Sequence, residues 1–107
     1  YLGGELPLMP GLARRAQELA RRAVAALPPT AGYVGVDLIL GSSPHGNEDA
    51  VIEINPRFTT SYVGLRAASR GNLAAAMLQV AKGEVAGVEF AEQPIEFDPA
   101  GNVSFMQ

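Results

Sequence analysis

The first strong hydrophobic pattern in the chain predicts an amphipathic helix over residues 11–27, which Pro28 and Pro29 end. Apolar side chains recur at spacings of three and four residues: Leu12, Ala16, Leu19, Ala20, Ala23, Val24 and Leu27. The other side of this helix is charged, with Arg14, Arg15, Glu18, Arg21 and Arg22. We expect a solvated side on which Glu18 pairs with arginine, although the same arginines are also able to bind an anion.

Two later segments, residues 33–40 and 50–55, have the alternating pattern of β-strands. The even-numbered positions in both are apolar: Val34, Val36, Leu38, Leu40, Ile52 and Ile54. The odd-numbered positions include Asp37, Val51, Glu53 and Asn55. If the segments pair as a hairpin, share one core face and contain no bulge, Asp37, Glu53 and Asn55 point together to the opposite face.

The segments around these elements are less regular. Residues 1–10 predict an extended or looped lead-in, and residues 41–49 predict a long polar loop. His45 lies in that loop among Pro, Gly, Asn and Glu, so we expect its imidazole to be exposed to solvent rather than catalytic.

After the second strand, the chain predicts two short helices and little other regular structure. One helix spans about residues 62–69 and ends near Gly71, and Asn72 then caps a second helix. Residues 85–91 and 102–107 are weak strand candidates, with a loop between them.

These elements together predict an α+β fold, with an antiparallel sheet and helices packed on one of its faces. We expect residues 83–107 to form a peripheral tail. A chain of 107 residues is one small domain at most, or a piece of a larger one. Charged residues make up 18%, below the usual quarter, which suggests that something absent from this sequence covers part of the surface. Because the chain opens on Tyr1 in mid-pattern, we expect a fragment of a larger protein.

Charge and composition argue against several classes of function. The net charge of -3 argues against general nucleic-acid or membrane-surface binding, both of which need a basic field. The absence of cysteine excludes disulfides and thiolate metal sites. No apolar run is long enough to span a bilayer, so we expect a cytoplasmic protein. The oligomeric state, a homo-oligomer included, stays open.

The acidic face of the hairpin carries the candidate chemistry. Asp37, Glu53 and Asn55 supply hard oxygen ligands of the kind that hold Mg²⁺, with substrate phosphates completing the coordination. Arg57 follows directly after Pro56 and offers a planar fork for phosphate or carboxylate oxygens. Together they fit a nucleoside triphosphate and its metal. The alternative is an ordinary hairpin with solvent-facing acids, but Asn and Pro are both disfavoured in strands, so it explains Glu-x-Asn-Pro-Arg poorly.

These residues also carry a family resemblance. G-x-x-G-V-D-L-I-L followed by V-I-E-I-N-P-R resembles the closing part of the ATP-grasp fold of carboxylate–amine ligases, over roughly residues 1–82. N-P-R-F-T-T-S-Y-V-G-L-R is similar, more narrowly, to the tyramine–L-glutamate ligase group, which serves methanofuran-type cofactor biosynthesis. The resemblance implies that residues 1–107 are a C-terminal ATP-grasp subdomain. It also implies that the N-terminal and central subdomains, with the lysines that grip ATP, lie outside this chain.

The resemblance implies a reaction as well. A substrate carboxylate takes the γ-phosphoryl group of ATP to form an acyl phosphate, and an amine then displaces phosphate to give an amide. Asp37, Glu53 and Asn55 would bind one or two Mg²⁺ ions together with ATP, and Arg57 would bind ATP and act catalytically on the transferring phosphoryl group.

Four residues after this motif have two interpretations. Thr59, Thr60, Ser61 and Arg66 would contact the small-molecule carboxylate or amine, or they are helix-capping hydroxyls and a surface arginine. Tyr62 is expected to pack. The rival to the ligase as a whole is a non-catalytic module of the same fold with a regulatory or assembly role.

Overall fold

The computed structural model describes residues 2–29 and 31–106, and within them helices alternate with short antiparallel strands. The elements in chain order are β1 (Gly4–Leu6), α1 (Pro10–Ala25), β2 (Gly35–Ile39), β3 (Ala50–Asn55), α2 (Ser61–Ala68), α3 (Leu73–Ala81), β4 (Ile95–Phe97) and β5 (Val103–Phe105). This is the α+β class that the sequence predicts. The strands form two sheets, β1-β4-β5 and the hairpin β2-β3, and every strand pair is antiparallel.

Each sheet has its own helix. Helix α1 packs against β2 and β3, and α2 packs against β1, β4 and β5. Pro10 begins α1, where its fixed φ suits the first helical position and its missing N–H costs nothing. The helix ends at Ala25, before Pro28 and Pro29. Asn72 caps α3 as predicted, because its side-chain oxygen accepts a hydrogen bond of 3.0 Å from the Ala75 N–H.

The strand β4 lies where the sequence pattern predicts a loop, and that prediction is wrong. β4 is the middle strand of its sheet, between β1 and β5. Ile95 is fully buried and Phe97 is 7% exposed, so the segment expected to be a peripheral tail supplies much of the described core. Residues 4–6 of the predicted lead-in pair with β4. The weak candidate over residues 85–91 forms only a single bridge, from Phe90 to Ser69.

Helix α2 lies very close to the three-stranded sheet because it has a glycine at the contact. A Cβ atom on Gly64 would lie 2.5 Å from Cδ1 of Phe97, closer than two carbon atoms can pack. Gly4 meets the other end of the same ring, where an added Cβ would lie 2.9 Å from Cζ. The Phe97 ring therefore fills the space that two glycines leave.

The chain exposes more surface than a compact monomer of its size. The accessible surface is 7631 Å², against about 5,700 Å² for a compact monomer of this mass. Helix α1 has no buried residue. Leu12 in its first turn and Leu27, two residues beyond its end, are each 37% exposed. This exposed apolar surface agrees with the low fraction of charged residues. None of the helices in the described part of the chain is long and apolar enough to cross a membrane.

An ion pair joins α1 to the loop between β2 and β3. The Arg15 guanidinium donates through Nε to Oδ2 of Asp49 at 3.2 Å and through Nη2 to the Gly41 carbonyl at 3.0 Å. Oδ1 of Asp49 accepts from the Gly41 N–H at 2.8 Å, and the Asp49 side chain is only 9% exposed. The loop is therefore closed on itself and held against the helix.

This contact predicts an acid-sensitive contribution to stability. The Arg15 hydrogen bond holds the pKa of Asp49 below its ordinary value. A carboxylate with a lowered pKa stabilises the fold above its ordinary pKa of about 3.9, and the stabilisation is lost as pH falls through the folded-state pKa. We expect Asp49→Asn to lower the urea midpoint at neutral pH and to flatten the fall in stability below about pH 4.

The control for this experiment is Glu84→Gln, which changes an exposed carboxylate that has no hydrogen bond to another described residue. It should leave both the midpoint and the acid limb unchanged. Part of the acid dependence persists in Asp49→Asn, because hydrogen bonds from Arg21 and Asn102 also lower the pKa of Glu18 and Asp98. An unchanged acid limb in Asp49→Asn would show that the ion pair is not formed in solution.

Candidate functional site

The register of the β2-β3 hairpin brings the predicted metal ligands together. Asp37 is directly opposite Glu53, and Gly35 is directly opposite Asn55. Side chains of opposed and second-neighbour residues lie on the same face of a sheet. Asp37, Glu53 and Asn55 therefore share one face, as the alternation predicts.

The same hairpin contains a bulge, and the alternation beyond it is reversed. Leu38 pairs with Val51 rather than with Ile52, so Ile52 is the extra residue in β3. Ile52 is 62% exposed, whereas Val51 is half-buried. The prediction that Ile52 lies on the core face and Val51 on the acidic face is therefore wrong. The acidic set is unaffected because all three of its members lie on one side of the bulge.

The two carboxylates lack a cationic partner. Asp37 and Glu53 are exposed, and neither has a hydrogen bond or ion pair with another described residue. Like charges directly opposite each other on neighbouring strands destabilise the pairing. A divalent cation between them would remove that repulsion. An opposed acid pair is not distinctive by itself, since Glu5 and Glu96 also lie opposite each other on β1 and β4.

Asn55 distinguishes the acid pair on β2 and β3 from the acid pair on β1 and β4. It is the buried polar residue of the described chain, at 8% exposure, yet its amide has no hydrogen bond to another described residue. Among the described residues, no side-chain nitrogen or oxygen is both fully buried and without a hydrogen-bond partner. Because the Asn55 amide has no such partner, its nitrogen and oxygen must keep some contact with solvent. A sheltered amide with an unused oxygen is well placed to bind a ligand, because it needs little ordering to do so.

Arg57 lies two residues after Asn55, beyond the proline that ends β3. Its side chain is exposed, and Nη1 donates a hydrogen bond of 3.0 Å to the Phe58 carbonyl. It forms no ion pair with any carboxylate in residues 2–29 and 31–106. Most of its N–H donors are therefore available for an anion.

The donor set fits Mg²⁺ that is bound together with phosphates. In the described part of the chain, no three histidine, cysteine, aspartate or glutamate side chains group to hold a metal alone. Two carboxylates and one amide leave coordination positions for phosphate oxygens or water, which is the usual arrangement for Mg²⁺ on nucleotides. Arg57, two residues after Asn55 in the sequence, adds a cation to this donor set. The set suits a metal–phosphate complex better than a closed structural metal site.

The turn that carries Arg57 is packed against the segment that leads into β2 by a cluster of three aromatic side chains, Tyr33, Phe58 and Tyr62. Ring centroids are 5.4 Å apart for Tyr33 and Phe58 and 4.7 Å apart for Phe58 and Tyr62. The prediction that Tyr62 packs is confirmed. The Tyr33 hydroxyl hydrogen bonds to Oγ1 of Thr59 at 3.1 Å.

The other residues with two interpretations are exposed. Thr60 is the N-cap of α2 but makes no side-chain cap hydrogen bond, and Ser61 is the first helical residue. Thr60 therefore occupies the predicted cap position, but its hydroxyl does not hydrogen bond to the helix. Arg66 lines a cavity of about 550 Å³ with Tyr62 and the start of α3. His45 is exposed, as predicted, in a groove between α1 and the 41–49 loop.

Gly35, Arg15 and Asp49 make contacts that have no clear signal in the sequence. A Cβ atom on Gly35 would lie 2.8 Å from Cγ2 of Thr59, so this glycine lets the Arg57 turn approach β2. Alternation marks Gly35 only as a small residue in a strand. Arg15 and Asp49 are 34 positions apart, and their contact follows from packing rather than from a local pattern.

Comparison with known proteins assigns the fold to a family. Residues 1–61 match the model of the ATP-grasp domain, and all four residues of the predicted metal and phosphate site lie in that range. The chain belongs to the ATP-grasp family. It is also 38% identical over 66 residues to a tyramine–L-glutamate ligase of Methanocaldococcus fervens. The match covers 62% of this chain and 21% of that relative, so the chain spans about a fifth of the relative's length. No solved structure matches the chain.

Proposed function

We propose that this chain forms the metal- and phosphate-binding wall of an ATP-dependent carboxylate–amine ligase. The observation that carries the proposal is the register of the hairpin, in which Asp37 and Glu53 oppose each other beside Asn55. Arg57 follows two residues later. The family match over residues 1–61 supports the same interpretation, because it includes these four positions.

Each residue has a role that its surroundings favour. Asp37 and Glu53 would hold one or two Mg²⁺ ions, since they have no competing partner among the described residues. Asn55 would add a neutral oxygen without further negative charge. Bound Mg²⁺ would neutralise phosphate charge on ATP. Arg57 would bind the phosphoryl oxygens, where negative charge increases during transfer.

We propose an acyl-phosphate route. The substrate carboxylate attacks the γ-phosphorus of ATP, the bond to the β,γ-bridging oxygen breaks, and ADP leaves. The amine then attacks the acyl carbon, inorganic phosphate leaves with the C–O electron pair, and the amine loses its proton. Arg57 would stay beside the phosphoryl oxygens throughout the first step and lower its barrier by electrostatic stabilisation.

The substrates proposed are L-glutamate and tyramine or close analogues, as the name of the Methanocaldococcus relative suggests. Methanofuran-type cofactor biosynthesis in the cytoplasm is the proposed setting. Thr60, Ser61 and Arg66 are the proposed substrate contacts, because they are exposed and lie in the turn and helix that come after Arg57. Thr59 was predicted with them, but its hydroxyl contacts Tyr33. The N-terminal and central subdomains implied by the family would supply the opposite wall.

Titration of MgATP by calorimetry into the full-length protein that carries this chain tests the proposal. We expect binding that depends on Mg²⁺, and we expect Glu53→Gln to weaken it by at least about tenfold. The neutral amide keeps the size of the side chain but removes the charge that opposes Asp37. Circular dichroism of the variant checks that the fold is retained.

Glu96→Gln is the matched control. Glu96 is also an exposed strand glutamate that opposes an acid, but it lies in the other sheet and has no Asn–Pro–Arg turn beside it. The Glu96→Gln variant should bind MgATP as tightly as the wild type does. If the wild-type protein binds MgATP but forms no amide, the regulatory or assembly module is favoured. If Glu53→Gln and Glu96→Gln weaken MgATP binding equally, the proposed site is contradicted.

A further inference from the structure

The Tyr33 hydroxyl, two residues before β2, makes the only described side-chain hydrogen bond to the Thr59 hydroxyl, at 3.1 Å. Both groups are partly buried, so the bond is shielded from competing water. The Tyr33 ring also packs on Phe58, the residue directly after Arg57. One side chain therefore contacts two successive residues of the turn that carries the guanidinium.

The backbone of the turn continues this arrangement. Nη1 of Arg57 donates to the Phe58 carbonyl at 3.0 Å, and the Tyr62 N–H donates to the Thr59 carbonyl at 3.0 Å. The Arg57 side chain is thus hydrogen bonded to the next residue of the turn, and the Thr59 carbonyl accepts a hydrogen bond from the first turn of α2. Neither Tyr33 nor Thr59 is a predicted metal ligand. Their contacts are with the turn.

We propose that Tyr33 and Thr59 are positioning residues that hold Arg57 beside the acidic face of the hairpin. The proposal rests on the proposed function, in which Arg57 binds the transferring phosphoryl group. It assigns the Thr59 hydroxyl to Tyr33 rather than to a substrate. Gly35 is part of the same set of contacts, because a Cβ atom there would lie 2.8 Å from Cγ2 of Thr59 and push the turn away from β2.

The physical reason is the sensitivity of phosphoryl transfer to placement. A displacement of about 1 Å at a positioning group can cost roughly a hundredfold in rate. An arginine on an exposed turn has many rotamers and little to restrict them. A hydrogen bond and a ring contact that fix the turn reduce the entropy lost when Arg57 binds its ligand.

The test compares two tyrosines of the same cluster by removing one oxygen atom from each. Tyr33→Phe keeps the ring contact with Phe58 but deletes the hydrogen bond to Thr59. Tyr62→Phe deletes a hydroxyl that has no hydrogen bond to another described residue. The assay is ADP release by the full-length protein from MgATP with L-glutamate and tyramine. We expect Tyr33→Phe to lower kcat about tenfold with less than a twofold change in KM for MgATP, and Tyr62→Phe to match the wild type.

Thr59 supplies an independent check through a double-mutant cycle. Thr59→Val is isosteric and removes the same hydrogen bond from the other side, whereas Thr59→Ser retains the hydroxyl and should restore most of kcat. If both residues act through one bond, the Tyr33→Phe/Thr59→Val double variant should be no slower than either single variant. Additive losses, or a larger loss in Thr59→Val than in Tyr33→Phe, would overturn the proposal in favour of direct substrate contact.

A measurement without substrates separates this proposal from the ligase function. Amide hydrogen exchange of the peptide over residues 56–63 should quicken several-fold in Tyr33→Phe and stay unchanged in Tyr62→Phe. Suppose that exchange is faster in Tyr33→Phe but the wild-type protein releases no ADP. That result would support the positioning contact and contradict the proposed reaction. Exchange and kcat that are the same in both tyrosine variants would overturn the positioning role while the wild-type activity stands.

Discussion

Arg57→Ala is expected to lower kcat for ADP release by roughly 10²–10³-fold in the full-length protein, the largest catalytic effect that we predict. The guanidinium is exposed, has no carboxylate partner among the described residues and lies two positions after Asn55. Its removal would leave charge on the transferring phosphoryl group without compensation. KM for MgATP should change much less, because the metal ligands remain.

The shape of the side chain matters as well as its charge. Arg57→Lys keeps a cation but loses the planar fork, so we expect it to recover only part of the lost rate. Arg70→Ala is the control, since Arg70 is another exposed arginine whose side chain has no hydrogen bond to a described residue. Wild-type kcat in Arg57→Ala would remove Arg57 from the mechanism and leave the metal ligands as the remaining basis of the site.

Phe97→Ala is expected to destabilise the chain by about 3–5 kcal/mol, the largest effect on stability that we predict. The ring is 7% exposed and fills the space between Gly4 and Gly64, and neither glycine has a side chain to fill the cavity that would be left. A small domain has only about 5–15 kcal/mol in total, so the substitution would remove a large share of the stability. The midpoint of urea unfolding, followed by circular dichroism, measures the loss.

Phe105→Ala is the matched control for this substitution. Phe105 lies in the neighbouring strand β5 of the same sheet but is 53% exposed, so its loss should cost about 1 kcal/mol. A cost for Phe97→Ala as small as that for Phe105→Ala would mean that β4 is not the centre of the core. It would also restore the interpretation of residues 83–107 as a peripheral tail.

The elements with strong local patterns could be predicted from the sequence. The helix over residues 11–27 is observed as α1, and the segments 33–40 and 50–55 are observed as β2 and β3. The Asn72 cap was also predictable, because a cap depends on residues within one turn. In each case the signal lies in residues a few positions apart, so the spacing of apolar and polar residues is sufficient to predict the element.

The elements that depend on distant partners could not be predicted. β4 has three residues, too few for alternation to indicate a strand, and it is held between β1 near the start of the chain and β5 near the end. The bulge at Ile52 is equally invisible in the sequence. Alternation continues through it, and only the pairing with β2 decides that Val51 turns inward.

For the site, the sequence by itself determined which residues supply oxygen and guanidinium groups, and its period of two placed Glu53 and Asn55 on the same face of β3. The pairing register placed Asp37 opposite Glu53 on that face, with all three residues on one side of the bulge at Ile52. The tertiary structure alone decided that Tyr33 meets Thr59, that Gly35 admits the Arg57 turn and that Arg15 meets Asp49. These contacts join positions far apart in the chain. They form because apolar faces pack and bring those positions together, and no local spacing encodes that choice.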